Sequence, residues 1–416
     1  MNKNNFIQVF EYQKLKYSTS ECFTKHHFDA MVKFNERNQN KYFTVIHKGV
    51  QFNNYVGIVQ IGRLTIEILP KVDNNTTSDT HLWQSVLLNM LQVCKHIKID
   101  NVSETTLKRK YNSILEVYYE MYLNEIENLI KKGLIKDYKK NRNNQLTFKG
   151  KMLFAQNIQK NLIHKERFYC EHQIYNKDHL IHQVLFKGLM ILGNLLDNSL
   201  KNRFKKILFQ FDDFKELNIT KKHFEKIKIN RKNQPYQKAL EIAKMIILNY
   251  SPSLNSGRDN MLTLLFDMNM LWEEYVYRIL QKYKFKNTTV TFQNKKHFWK
   301  NDFRVKTIRP DIVVNQTVDN INITYVIDTK WKIRDSNNPD DSDLKQMFVY
   351  NLYWKAEKSL LLFPKINQDD STFGKYNYLG NEMEANQCKL GFVSIVDGNK
   401  IKNGEVLSKE ILDKLV

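Results

Sequence analysis

Arg309-Pro310-Asp311-Ile312-Val313-Val314 and Thr324-Tyr325-Val326-Ile327-Asp328-Thr329-Lys330 decide the reading of this chain. Each run is rich in β-branched or aromatic residues, the composition of a strand with at least one buried face. Between them, Asn315 to Asn322 is crowded with Asn, Gln, Thr and Asp, which predicts a hairpin connection. Asp311 enters the first strand, and Asp328 and Lys330 close the second.

Residues two apart on a strand project from the same face, so Asp328 and Lys330 share one. Pairing the strands as a hairpin brings Asp311 beside them. Two carboxylates and an ammonium then meet at one end of a largely apolar sheet. Two carboxylates suit a hard divalent cation, and a lysine next to it can polarise or deprotonate water, the equipment of metal-assisted phosphodiester hydrolysis. Taken alone, however, Pro-Asp is a common turn and Asp-x-Lys a common solvated strand end. By themselves the two motifs favour that plainer reading, and the rest of the chain has to decide.

With 416 residues, the chain is long enough for two or three domains. Hydrophobic residues make up 42%, enough for sizeable cores, and the formal net charge is +21, which points to a polyanionic partner such as nucleic acid. Lys, Asn and Ile abound throughout, a bias that an AT-rich coding sequence also produces, so the charge supports nucleic-acid binding without establishing it. The four cysteines, Cys22, Cys94, Cys170 and Cys388, form no CxxC pair. That argues against local zinc or iron–sulfur motifs and against a disulfide framework, and predicts reduced thiols in a cytoplasmic protein. The start of the chain is too polar for a signal peptide. Val184 to Leu196, the longest apolar stretch, carries Lys187 and is too short to span a membrane.

Residues 1 to about 75 read as mainly β, with helix near Cys22 to Arg37. Leu64, Ile66 and Ile68 alternate with Thr65 and Glu67, predicting a strand with one buried and one polar face. Gly62 is placed to turn a hairpin from Tyr55–Ile61 into that strand. Asp73 to Thr80 reads as a polar loop, followed by a helix from Leu82 to Val93. In Ile114 to Lys132, Leu115, Tyr118, Tyr122, Ile126 and Leu129 recur at helical spacing, with Gly133 as C-cap; the aromatic stripe reads as core. Gly150-Lys151 suggests a phosphate loop, but Gln145 and Met152 break the pattern, so the chain itself is expected to bind no nucleotide. His172, His179 and His182 fit no strong ligand spacing and read as solvated surface. Val184 to about Tyr250 reads as helical, with lysine runs suited to solvent or to a DNA backbone. Ser251 to Gly257 is dense in turn formers and marks a linker.

A helix is expected from Met261 to Lys282. Glu273 lies at the margin of its apolar stripe, where it can reach a cation at the strand ends, whereas Glu274 is expected to face solvent. A strand at Thr288–Gln293 and the two quoted strands follow. Pro339 to Asp343 then supplies N-cap residues for a helix through Leu344 and Met347, on which Gln346 and Tyr350 stack at i and i+4. Strands at Leu360–Phe363 and Gly391–Val396 complete an α-β-β-β-α-β pattern and imply a mixed sheet.

Glu273, Pro310-Asp311, Asp328-Thr329-Lys330 and Gln346-x-x-x-Tyr350 stand in the order of the PD-(D/E)xK nuclease superfamily, and the last element resembles its RecB-like branch. Phe266-Asp267-Met268-Asn269-Met270-Leu271-Trp272-Glu273-Glu274-Tyr275-Val276, Asp328-Thr329-Lys330-Trp331-Lys332 and Asp343-Leu344-Lys345-Gln346-Met347-Phe348-Val349-Tyr350 resemble the McrC family, nuclease subunits of McrBC-type, 5-methylcytosine-specific restriction systems. Gly57 to Gly62 with Leu64 to Lys71, and Leu146 to Lys151 with Gln156-Asn157, are similar to that family's early hairpin and middle region. The chain departs at Trp272 and Trp331, where Phe and Tyr are expected, substitutions that keep aromaticity and approximate volume.

The resemblance implies a multi-domain α+β protein: a β-rich partner-binding region over residues 1–100, a mainly helical middle over 101–255, and a PD-(D/E)xK nuclease domain over 256–416. It implies an endonuclease subunit that cuts double-stranded DNA, is driven by a hexameric McrB-like AAA+ GTPase, and stimulates that partner's hydrolysis. Asp311, Asp328 and Glu273 are then the Mg²⁺ ligands, Glu273 directly or through water. Lys330 positions or activates the attacking water, and Gln346 and Tyr350 orient the DNA backbone or Lys330. A double-strand break needs two such sites, so dimerisation through or near the nuclease domain is expected. Two other readings stay open: a stand-alone RecB-like exonuclease or resolvase, revealed by dependence on free ends or branches, and a non-catalytic adaptor that only binds DNA or a ring partner.

Overall fold

The computed structural model describes residues 5–71, 79–96, 113–196, 198–211, 214, 216–251, 260–319, 321–332, 338–365, 369–378 and 381–415. The linker at Ser251–Gly257 and the polar loop at Asp73–Thr80 fall almost wholly outside these residues. Two compact units form, one from residues 2–114 with 265–416, the other from 115–264. Among the described residues no helix is long and apolar enough to cross a membrane.

In the first unit, strand Phe6–Phe10 pairs parallel with Leu64–Leu69, which pairs antiparallel with Tyr55–Ile61. Gly62 turns that hairpin at φ +55°, the positive φ that the first central residue of a II′ turn requires. Strand Leu64–Leu69 departs from the expected alternation, because all six residues are buried. Glu67 is fully buried and satisfied: Gln8 and Gln84 each donate to its Oε2 at 2.8 Å, and the Ile114 amide donates to Oε1 at 3.0 Å. A polar residue on a strand marks a wet face only when no partners are brought to it, and here they are.

The C-terminal part of this unit is built on a six-stranded mixed sheet. Its order is Thr288–Phe292, Ile312–Val318, Ile321–Thr329, Lys358–Pro364, Asn381–Val393 and Gly374–Tyr378. The first three strands pair antiparallel; Ile321–Thr329, Lys358–Pro364 and Asn381–Val393 run parallel. Helix Asp341–Trp354 links two parallel strands, as such a connection requires. Its Met347, Tyr350 and Trp354 pack with Val313, Val326, Leu361 and Phe392 into one apolar cluster. Helix Met268–Lys282 buries Leu271, Trp272, Tyr275, Val276 and Ile279 and packs against strands Thr288–Phe292 and Ile321–Thr329.

Two boundaries differ from expectation. Met261–Asp267 is a strand, and the helix starts only at Met268, where the Asp267 side chain accepts from the amides of Asn269 and Met270. A short apolar run ahead of a helix has no periodicity that separates the two states. The polar stretch Asn315–Asn322 is mostly strand as well. Thr317 donates to Asn322 at 2.7 Å and Thr324 to Asn315 at 2.9 Å, so side chains that read as loop bond across the hairpin instead.

In the second unit, helix Ile114–Lys132 buries Tyr118 and Tyr122 and ends at Gly133, φ +86°. Helices Leu180–Gly193, Asn198–Phe209, Lys221–Lys226 and Gln237–Leu248 follow the helical reading. Strands Asp137–Gln145, Lys151–Met152 and Phe168–Asn176 add a sheet for which the sequence carried no alternation signal.

Candidate active site

The hairpin register decides the site. Ile312 pairs with Ile327, so one further step places Asp311, just ahead of its strand, opposite Asp328 at the end of the other. Thr329 fixes Asp311 there, donating to Asp311 Oδ2 from its amide at 2.7 Å and from its hydroxyl at 2.9 Å. The Lys330 amide donates to Leu362 O at 2.9 Å, which anchors the strand end against the neighbouring parallel strand. The Lys330 ammonium reaches back to 2.7 Å from Asp328 Oδ2. That contact is an ion pair.

Two helices complete the cluster. From helix Met268–Lys282, Glu273 Oε1 accepts from the Gln293 side-chain Nε2 at 2.7 Å, and its charge acts on Asp311. Glu274 is partly buried rather than solvent-facing, 3.0 Å from Arg278 and 3.4 Å from His96. From helix Asp341–Trp354, Gln346 Oε1 lies 3.4 Å from Lys330 Nζ, while Gln346 Nε2 donates to the Tyr350 hydroxyl at 2.7 Å. Tyr350 in turn donates to Arg309 O at 2.9 Å. The structure therefore brings Asp311, Asp328, Lys330, Glu273, Gln346 and Tyr350 into one neighbourhood.

It adds residues that the motifs did not flag. Asp343, read from sequence only as part of an acidic helix start, is buried and stands 3.4 Å from Lys330 and 3.2 Å from Lys332. Thr329 and Gln293 are holding groups. Arg309 stabilises the charge of Glu273. Position next to a motif was the only available signal for Arg309 and Thr329, and none marked Gln293.

Burial pushes Asp328 up to about 7, reinforced by Asp311 and opposed by Lys330. Burial also pushes Asp311 up to about 6, with Glu273 adding to the rise, and it raises Glu273. For Lys330 burial acts downward, but Asp328, Asp343 and Asp311 outweigh it, so the ammonium is held more firmly protonated than usual. Four carboxylates, Asp311, Asp328, Glu273 and Asp343, crowded in a low-dielectric site around one lysine leave negative charge poorly compensated, the condition a divalent cation relieves. Among the described residues no group of three or more His, Cys, Asp or Glu closes as a ready-made ion cage. A Mg²⁺ ion typically keeps several waters and takes one or two carboxylates together with substrate phosphates. Asp311 and Asp328, hard oxygen donors at adjacent strand ends, fit that mode.

The histidines of the second unit form no such site. His182 is fully buried, bonded through Nδ1 to Lys177 O at 2.7 Å and through Nε2 to the Tyr236 hydroxyl at 3.1 Å. Burial pushes it down to about 4. The expected solvated surface is corrected here: His182 is a satisfied core residue, its ring tilted against that of His179 at a centroid distance of 4.3 Å.

Comparison with known proteins gives three findings. Residues 50–364 match the family model of the McrBC 5-methylcytosine restriction system component. The fold is similar to that of a chain in the refined half-complex from a tetradecameric assembly of Thermococcus gammatolerans McrB AAA+ hexamers with bound McrC. There the TM-score is 0.71 at 16% identity, over 99% of this chain and 100% of that one. It is also similar to a chain of the cryo-EM structure of the Thermococcus gammatolerans McrBC complex, with TM-score 0.52 and 18% identity, over 68% of this chain and 89% of that one. Comparison with curated protein sequences gave no match.

Proposed function

We propose that this chain, which belongs to the McrBC 5-methylcytosine restriction system component family, is the DNA-cutting subunit of a restriction complex whose other component is a GTP-hydrolysing AAA+ ring. One observation carries the reading. Asp311 and Asp328 meet at adjacent strand ends with Lys330 2.7 Å from Asp328, on a sheet flanked by the helices that supply Glu273 and Gln346. This convergence supports the reading as a PD-(D/E)xK nuclease. The fold likeness to a chain from an assembly of McrB hexamers with bound McrC supports the choice of partner.

Asp311 and Asp328 would hold Mg²⁺, with Glu273 beside them. When bound, the ion supplies Lewis-acid stabilisation of charge developing on the scissile phosphate and leaving oxygen. The chain's own groups do the rest. Because its carboxylate neighbours hold Lys330 protonated, the ammonium acts as a donor that fixes the attacking water or a phosphate oxygen rather than as the base. Gln346, held by Tyr350, limits where Lys330 can swing. Thr329 locks Asp311 with two hydrogen bonds, so the carboxylate needs little reorganisation on binding substrate. One such site cuts one strand, and a double-strand break then requires two copies of the nuclease region in the assembled complex.

The test is cleavage of duplex DNA by the reconstituted complex with GTP and Mg²⁺. Asp328→Ala and Lys330→Ala are each expected to abolish cutting while ring binding and GTP hydrolysis persist. Undiminished cutting by Asp328→Ala would sink the assignment.

A further inference from the structure

Between strand Thr288–Phe292 and Asp311 the chain forms a separate two-stranded ribbon, Lys296–Lys300 paired antiparallel with Val305–Ile308. We propose that this ribbon is a grip for duplex DNA flanking the scissile phosphate, an inference that rests on the nuclease reading and extends it. Residues 294 to 307 are all exposed. Between Lys295 and Arg309 there are six cationic side chains against the single carboxylate of Asp302. Aromatic rings stand among them: Phe298 and Trp299 are each 49% exposed, and Phe303 is 91% exposed.

An isolated hairpin is marginal in water, and large bare aromatics on one are costly unless they meet a partner. This hairpin is nevertheless built. Asn301 organises the tip, its side chain accepting from the amides of Phe303 and Arg304, so Phe303 is presented on an ordered turn. The base is braced on helix Asp341–Trp354. Lys296 donates to Tyr353 O at 2.7 Å and lies over the Trp354 ring at 4.8 Å, and Phe298 packs on Tyr353 at 5.8 Å. Register places Trp299 opposite Lys306 and Lys300 opposite Val305, so each face of the outer ribbon carries one cation beside one apolar side chain.

The partner follows from charge and geometry. A duplex is the polyanion to which this surface is complementary, and its major groove admits a two-stranded ribbon. Cations on phosphates give affinity without sequence choice, and aromatic side chains add apolar contact with sugars and bases. The ribbon leads from Ile308 through Arg309 and Pro310 straight into Asp311, and Tyr350 clamps that exit at Arg309 O. DNA held by the ribbon is thereby set in register with the catalytic carboxylates. At about 3.4 Å per residue, Phe303 stands roughly 17 Å along the ribbon from Ile308, about half a helical turn of duplex.

The experiment measures binding of the full-length chain to a fluorescent duplex of about three helical turns by anisotropy across a salt series. Ca²⁺ replaces Mg²⁺ to suppress cutting. Combining Lys300→Ala, Arg304→Ala and Lys306→Ala is expected to lower the salt slope by about 2 to 3, at roughly 0.9 for each phosphate no longer neutralised. Combining Trp299→Ala with Phe303→Ala is expected to weaken binding at least about fivefold at every salt concentration and leave the slope unchanged. Thermal melting should not move, since all five side chains are exposed, and Trp299→Phe should keep most of the affinity. Unaltered affinity and slope in both variants overturn the proposal, as does a parent chain that does not bind duplex. Loss of ring assembly with DNA binding retained also overturns it and assigns the ribbon to a protein partner. The nuclease reading fails separately, through the cleavage assay with Asp328→Ala.

Discussion

The indole of Trp331 donates a 2.7 Å hydrogen bond to Glu11 Oε1, an oxygen that also accepts from the Lys71 amide at 2.9 Å. Glu11 follows the first strand of the chain, and Trp331 follows Lys330, so the N-terminal sheet is tied to the residue next to Lys330. The Trp331 ring also packs on Trp272 at a centroid distance of 5.5 Å. The two positions where Phe and Tyr are expected from the sequence thus pack directly on each other.

The two tryptophans should nonetheless respond differently to the same substitution. Trp272 Nε1 is buried with no hydrogen-bond partner among the described residues, so Trp272→Phe removes volume but no bond. Trp331→Phe removes similar volume and also strips a partner from a buried carboxyl, an added penalty of about 1–3 kcal/mol. Thermal or urea unfolding should therefore rank Trp331→Phe as the more destabilising. Equal losses would show that the Glu11 bond contributes nothing measurable.

A second prediction concerns the relay from Lys330 Nζ through Gln346 and Tyr350 to Arg309 O, with links of 3.4, 2.7 and 2.9 Å. None of the three links is to Asp311 or Asp328, so in the proposed mechanism their role is to position. Tyr350→Phe and Gln346→Ala should lower single-turnover cleavage by about 10- to 100-fold, the usual cost of a small misplacement, with the KM for DNA little changed. Lys330→Ala should abolish it. A KM effect with an intact single-turnover rate would instead place Gln346 and Tyr350 in DNA binding.

Much of this site was legible because its chemistry is written in short local spacings. Asp328 and Lys330 need only strand periodicity, and Gln346 with Tyr350 needs only one helical turn. Asp311 needed the hairpin register, which the two apolar runs set correctly even though the polar stretch between them reads as loop. What stayed hidden depends on distant partners. Nothing local says that Glu67 is met by Gln8 and Gln84, that Asp343 turns toward Lys330, or that His182 is buried under Tyr236. The ribbon at Lys296–Ile308 was missed for a different reason: both of its faces are exposed, so it carries no alternation of apolar and polar residues.

The last prediction is a pH dependence that originates at Glu11. Burial pushes this carboxyl from 4.5 up to about 7 against the pull of the Lys71 and Trp331 bonds, and its second oxygen, Oε2, is buried with no partner among the described residues. A carboxyl whose folded pKa is raised binds its proton more tightly in the native state than in the unfolded one. Its contribution to stability is fully present below the unfolded value of 4.5 and is lost as pH rises through about 7. Asp311 and Asp328, raised to about 6 and about 7, act with the same sign. The melting temperature should therefore fall between pH 5 and 8, roughly the interval in which these groups ionise in the fold. Glu11→Gln keeps an acceptor for both donors but has nothing to ionise, so its melting profile should be flatter than the parent's over that interval. On the proposed reading, in which Asp311 and Asp328 hold Mg²⁺, the ion should recover stability at the alkaline end in both proteins. A Glu11→Gln profile parallel to the parent's would show that Glu11 is already ionised at neutral pH, with the Trp331 and Lys71 bonds outweighing burial.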